Sequence, residues 1–112
     1  MKFLRKKDRI FFNNNDISTG NLSIKNDTLT LEIIKTIPSC RNSNYATSTL
    51  TNVLKYIKNQ NKYKTMYLNP LPIDSNGLNL EKLISFYKKF GFRKSSKSDL
   101  SHPFLMEKSL LF

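Results

Sequence analysis

A chain of 112 residues with 19 Lys and Arg against 8 Asp and Glu has a formal net charge of +11, room for one domain over residues 1–112, and a preference for anionic partners. Its one cysteine excludes an internal disulfide and fits the reducing cytoplasm. With one histidine beside it, a metal site would have to be built from carboxylates alone, so no metal is expected. The basic N-terminus, MKFLRKKDRIFF, has no apolar run of the kind that makes a secretory leader, and no stretch is long enough for a membrane span.

Eight Phe and five Tyr supply the bulk for a core. In residues 1–16 only Ile10-Phe11-Phe12 reads as a strand, followed by a turn at the Asn run and Asp16; the segment is otherwise undefined. Residues 17–37 read as a β-hairpin. Ile17, Leu22 and Ile24 mark the first arm, Asn26-Asp27 the turn, and Thr28 to Ile37 the second arm. Leu29, Leu31 and Ile33 alternate with Thr30, Glu32 and Ile34, which predicts that the first three face one side.

Ala46, Leu50, Val53, Leu54 and Ile57 form one apolar stripe and predict a helix over 45–59, capped by Asn44 or Ser43. Lys64 to Leu68 predicts a strand. A second helix over 80–90, capped by Asn79, carries the stripe Leu80, Leu83, Ile84 and Tyr87, and Gly91 ends it. Strands at 92–95 and 104–111 close the chain as a hairpin. The order implies an α/β (α+β) fold with one mixed, mostly antiparallel sheet and helices packed on it.

Two segments resemble the GNAT (general N-acetyltransferase) superfamily. Family members carry an apolar strand, a proline, Arg or Gln, then spaced glycines opening a helix. Here Pro38, Arg41 and Ala46 sit at matching offsets after Ile34-Lys35-Thr36-Ile37, with Asn42 and Asn44 in two glycine positions. The second segment, Phe86-Tyr87-Lys88-Lys89-Phe90-Gly91-Phe92, resembles the end of the family's late helix, and Leu105 to Leu110 resembles its closing strand.

The resemblance implies an N-acetyltransferase that moves an acetyl group from acetyl-CoA to a primary amine. It implies main-chain contacts to the pantetheine arm from Ile34, Lys35 and Thr36. The pyrophosphate would be held by the loop and helix start, Arg41, Asn42, Ser43, Asn44, Tyr45, Ala46 and Thr47, because a helix N-terminus attracts anions. Asn tolerates left-handed φ better than other non-glycine residues, so the backbone course at 42 and 44 survives.

Tyr87 would protonate the leaving thiolate and Glu32 would serve as general base through water; their alternatives are a core ring and an exposed strand carboxylate. Lys88 and Lys89 either meet the nucleotide 3′-phosphate or form a solvated helix face. Cys40 reads as inert filler. His102 has no orienting partner in the sequence.

The family has two helices after its first strand, forming a lid over the acceptor, and too few residues precede Ile17 to build both. The acceptor groove is therefore expected to be open, completed by a macromolecular acceptor or by homodimerisation. A second reading keeps the fold without catalysis, as a basic module binding nucleic acid or a protein. It rests on the +11 charge and the two replaced glycines. Nucleic acid is the less favoured partner, because Lys far outnumbers the Arg that reads bases bidentately.

Overall fold

The computed structural model describes residues 1–36, 44–70 and 80–110. Seven strands make one sheet: β1 (Lys2–Lys6), β2 (Arg9–Asn14), β3 (Ser18–Lys25), β4 (Thr28–Thr36), β5 (Thr65–Leu68), β6 (Arg93–Lys94) and β7 (Met106–Ser109). The spatial order is β1-β2-β3-β4-β5-β7-β6, antiparallel throughout except for the β4–β5 pair. Helix α1 (Tyr45–Gln60) is the crossover that a parallel pair requires, and α2 (Leu80–Lys88) follows β5.

The first four strands are an up-and-down series whose turns are built on left-handed residues. Lys7 (φ 55°), Asn15 and Asp16 (56° and 61°) and Asn26 (56°) supply the positive φ that tight hairpins need. The N-terminal segment is thus a full hairpin, β1 turning directly into β2, where the sequence pattern reveals only the second arm. What hides β1 is its exposure: of its five residues only Phe3 is even half-buried.

Ile10 and Phe12 of β2, Leu22 of β3, Leu29 and Leu31 of β4, Met66 and Leu68 of β5 and Met106 of β7 line one face of the sheet. Leu50, Val53 and Ile57 of α1 share their core. Two further contacts hold this helix to the first hairpin. Asn14 Nδ2 donates to Thr49 Oγ1 at 3.0 Å in the buried interior, and Phe3 stacks on Tyr56 with centroids 3.9 Å apart.

The period-2 reading of β4 fails in its second half. Asn21 pairs with Ile33 while Leu22 pairs with Leu31, so Glu32 is an extra residue in a β-bulge. Beyond it the alternation changes phase: Ile33 is exposed, whereas Ile34 and Thr36 take the core side. The expected alternation that puts Ile33 on the side of Leu29 and Leu31 is therefore corrected, and the cause is one inserted residue. Gly20, opposite Ile34, makes room for the distortion, since a Cβ there would run into the Ile33 carbonyl oxygen and the Phe12 ring.

Helix α2 ends at Lys88, two residues before the expected limit. The Gly91 amide donates to the Lys88 carbonyl and the Phe92 amide to the Tyr87 carbonyl, with Gly91 at φ 91°. That double bond pattern is a Schellman termination, the role predicted for this glycine. Asn79 lies outside the described residues.

Candidate functional site

The sheet divides where β4 outruns β5. Their parallel ladder ends at Leu31 opposite Leu68, yet β4 continues to Thr36. From Ile33 to Thr36 it pairs with β3 on one side. Among the described residues no strand pairs with its other side. Ile34, Lys35 and Thr36 all lie on this overhang, next to the Glu32 bulge. Ile34 is half-buried, Lys35 exposed and Thr36 buried, where its hydroxyl donates to Ser18 Oγ at 3.2 Å.

Beyond the overhang, the described chain resumes at the start of α1. Asn44 occupies the N-cap position with φ 61° and ψ 20°, in the left-handed region, and makes no side-chain capping hydrogen bond. Of the two expected caps, Asn44 or Ser43, this corrects the first, while Ser43 lies outside the described residues; a left-handed backbone at Asn44 replaces the extended one from which a side-chain cap reaches N2 or N3. Its carbonyl still accepts the Ser48 amide at 3.0 Å. No acidic residue stands in the first turn, so nothing there offsets the partial positive charge of the helix start. Tyr45 and Ala46 are half-buried and Thr47 is exposed. Arg41, Asn42 and Ser43, with Cys40 beside them, lie outside the described residues.

Glu32 projects into solvent, where its Oε1 accepts a hydrogen bond from Ser23 Oγ at 2.7 Å. Tyr87 is buried and belongs to the same core as Leu31 and Leu68, the last rung of the β4–β5 ladder. Burial pushes its phenol up to about 12, so it holds its proton at neutral pH. No buried side-chain nitrogen or oxygen among the described residues lacks a partner.

The other candidates are exposed. Lys88 stands at the end of α2. Lys89 lines an open groove of about 390 Å³ along α2 with Glu81, Lys82, Ser85 and Phe86. His102 Nδ1 stands 3.8 Å from Asp99 Oδ1, but both are exposed, and the same carboxylate accepts the Ser101 and His102 amides as a turn brace. No cluster of three metal-ligating side chains occurs among the described residues, and no helix there is long and apolar enough to cross a membrane.

Comparison with known proteins rests on shape. No protein-family sequence profile matches the chain, and no curated protein sequence does. Solved structures match well. The anti-CRISPR protein AcrVA5 superposes with a TM-score of 0.71 at 17% identity, over 88% of this chain and 96% of its own. The ribosomal-protein-S18-alanine N-acetyltransferase from Escherichia coli gives 0.68 at 12% identity, over 98% of this chain and 70% of its own. The PaiA N-acetyltransferase from Thermoplasma acidophilum, solved in complex with coenzyme A, gives 0.66 at 21% identity, over 90% of this chain and 59% of its own.

The chain has the GNAT fold. It is a short version: β1 passes to β2 through a two-residue turn at Lys7-Asp8. Two features of this GNAT sheet escape the sequence reading. One is the bulge, whose only sequence-level trace is Gly20 in a strand interior. The other is the polar crossing Thr30–Tyr67–Glu107–Arg93, where Lys97 Nζ lies 5.2 Å from the Tyr67 ring centroid.

Proposed function

We propose that this protein is an acetyl-CoA-dependent N-acetyltransferase whose acceptor is a primary amine on a macromolecule, acting in the cytoplasm. The observation that carries the reading is the overhang of β4 past β5, followed by a helix whose N-cap residue is left-handed. A thioester tail lying along Ile34, Lys35 and Thr36 takes the place of the missing strand. Its pyrophosphate meets the amides of Asn44, Tyr45, Ala46 and Thr47, with Arg41, Asn42 and Ser43 before them.

In the reaction the amine nitrogen attacks the thioester carbonyl carbon. A β4 main-chain amide near the bulge polarises the carbonyl oxygen, the C–N bond forms and the C–S bond breaks. Glu32 takes the amine proton through water. Tyr87 faces the departing sulfur. Complete transfer from a phenol at about 12 to a thiolate of ordinary pKa near 8.5 is uphill by about 5 kcal/mol. Tyr87 therefore acts first as a hydrogen-bond donor to the forming thiolate, and solvent completes protonation.

The shape relatives include an enzyme named for acetylating a ribosomal protein, which supports a protein acceptor. A GNAT-fold neighbour solved with DNA, the KacTA–DNA complex, keeps nucleic acid as the second partner class. Incubation with radiolabelled acetyl-CoA and a cell extract tests the reading. Label transferred to protein, and lost with Glu32→Gln, is expected; no transfer and no cofactor hydrolysis would refute it.

A further inference from the structure

The face of the sheet opposite α1 carries an ordered pattern across its first four strands. Directly opposed residues share a face, so the register writes rows across it. One row runs Leu4, Phe11, Asn21, Ile33. Its three apolar members are 62%, 39% and 40% exposed, an unusual concentration of large side chains in water. The row on one side runs Lys2, Asn13, Thr19, Lys35, and that on the other begins Lys6, Arg9, Ser23. All four of these cations are exposed. Arg9 is held in place by a 2.9 Å bond from its guanidinium to Asn21 Oδ1. The one carboxylate on these strands of the face is Glu32, at the end of the apolar row nearest the overhang.

We propose that this face is a docking surface for an acidic amphipathic segment of a protein partner. Its apolar side would lie along Leu4, Phe11 and Ile33, with its carboxylates between the flanking cations. Charge decides among occupants. A second copy of this chain brings another +11 to a cationic face, so it is repelled. A nucleic acid would satisfy the cations but leave three apolar side chains against phosphate. A segment with one apolar and one acidic face matches all three rows. The row ends beside the bulge, so a segment lying along it delivers a neighbouring amine to Glu32. Only this last step, which makes the partner the acceptor, rests on the acetyltransferase reading.

The test uses the full chain labelled with 15N and a synthetic helical peptide with Leu and Phe on one face and Glu on the other. A scrambled peptide of equal composition and a 20-base-pair DNA duplex serve as competitors. Amide shifts centred on Leu4, Phe11, Asn21 and Ile33 and extending to the flanking Lys2, Lys6, Arg9 and Lys35, with binding at least tenfold weaker for the scrambled peptide and for Leu4→Glu, are expected. Equal binding of the scrambled peptide, displacement by the duplex, or indifference to Leu4→Glu overturns the proposal. So does concentration-dependent dimerisation that Leu4→Glu abolishes, which assigns the row to a second copy. Thermal stabilisation by coenzyme A, read on the same samples, is expected to survive Leu4→Glu. Its absence would count against the acetyltransferase reading and leave the peptide result standing.

Discussion

Phe92 returns to Tyr87 twice: its amide donates to the Tyr87 carbonyl at 3.3 Å, and its ring stands edge-on to the tyrosine ring with centroids 6.0 Å apart. The backbone bond and the ring contact both depend on the left-handed turn at Gly91. The termination of α2 therefore also sets the depth and orientation of the phenol, and with it the donor role proposed for Tyr87.

Gly91→Ala should loosen this arrangement. A left-handed φ costs a residue with a Cβ about 1–2 kcal/mol. The new methyl also meets Lys108 Nζ, which has to swing aside. Urea denaturation is expected to show a loss of about that size. A variant as stable as the parent would mean the turn is not constrained as described.

The Tyr87 phenol gives a pH signature. Its folded-state value is raised above the ordinary 10, so folding keeps this proton bound where the unfolded chain would release it. The contribution is fully present below pH 10. It is lost as pH rises from 10 towards 12, by about 3 kcal/mol in all. Tyr87→Phe should flatten that part of the stability profile relative to the parent. In turnover assays it should lower kcat with little change in cofactor affinity, whereas a purely structural tyrosine would change stability alone.

Gly20 tests the bulge. Because a Cβ at this position meets backbone as well as the Phe12 ring, Gly20→Ala should force β3 and β4 apart or change their register. A loss of about 1–3 kcal/mol is expected from overpacking of this kind. Amide shifts should change at Glu32, Ile33 and Ile34 more than at Leu29.

Asn44 separates backbone shape from side-chain chemistry. If its value is tolerance of φ 61°, Asn44→Gly should keep coenzyme A binding and Asn44→Ala should weaken it while destabilising the chain by about 1 kcal/mol. Equal affinity in all three proteins would detach the helix start from cofactor binding.

Much of this was readable in the residues because local chemistry and global fold agree. The Asn26 turn, the α1 stripe through Leu50, Val53 and Ile57, and the Gly91 stop are local signals that packing reinforces. The failures have physical causes. At β4 the apolar run Ile33-Ile34 hides a phase change, since either isoleucine could face inward and only the β3 register shows that Glu32 is extra. At β1, the apolar pair Phe3-Leu4 sits side by side between cations, so no alternation is there to read. At Asn44, capping propensity and left-handed tolerance are properties of one side chain, and the backbone chose the second. The apolar row through Leu4, Phe11 and Ile33 joins residues far apart in sequence, so only strand pairing reveals it.

The proposed cofactor site joins the overhang of β4 to the start of α1. Titrating 15N-labelled protein with coenzyme A tests this directly. The predicted result is saturable movement of the Ile34, Lys35 and Thr36 amides together with those of Tyr45, Ala46 and Thr47, with thermal stabilisation of about 2.7 kcal/mol at a hundredfold excess over Kd. Absence of stabilisation at millimolar coenzyme A, or shifts that fall elsewhere on the sheet, would contradict it.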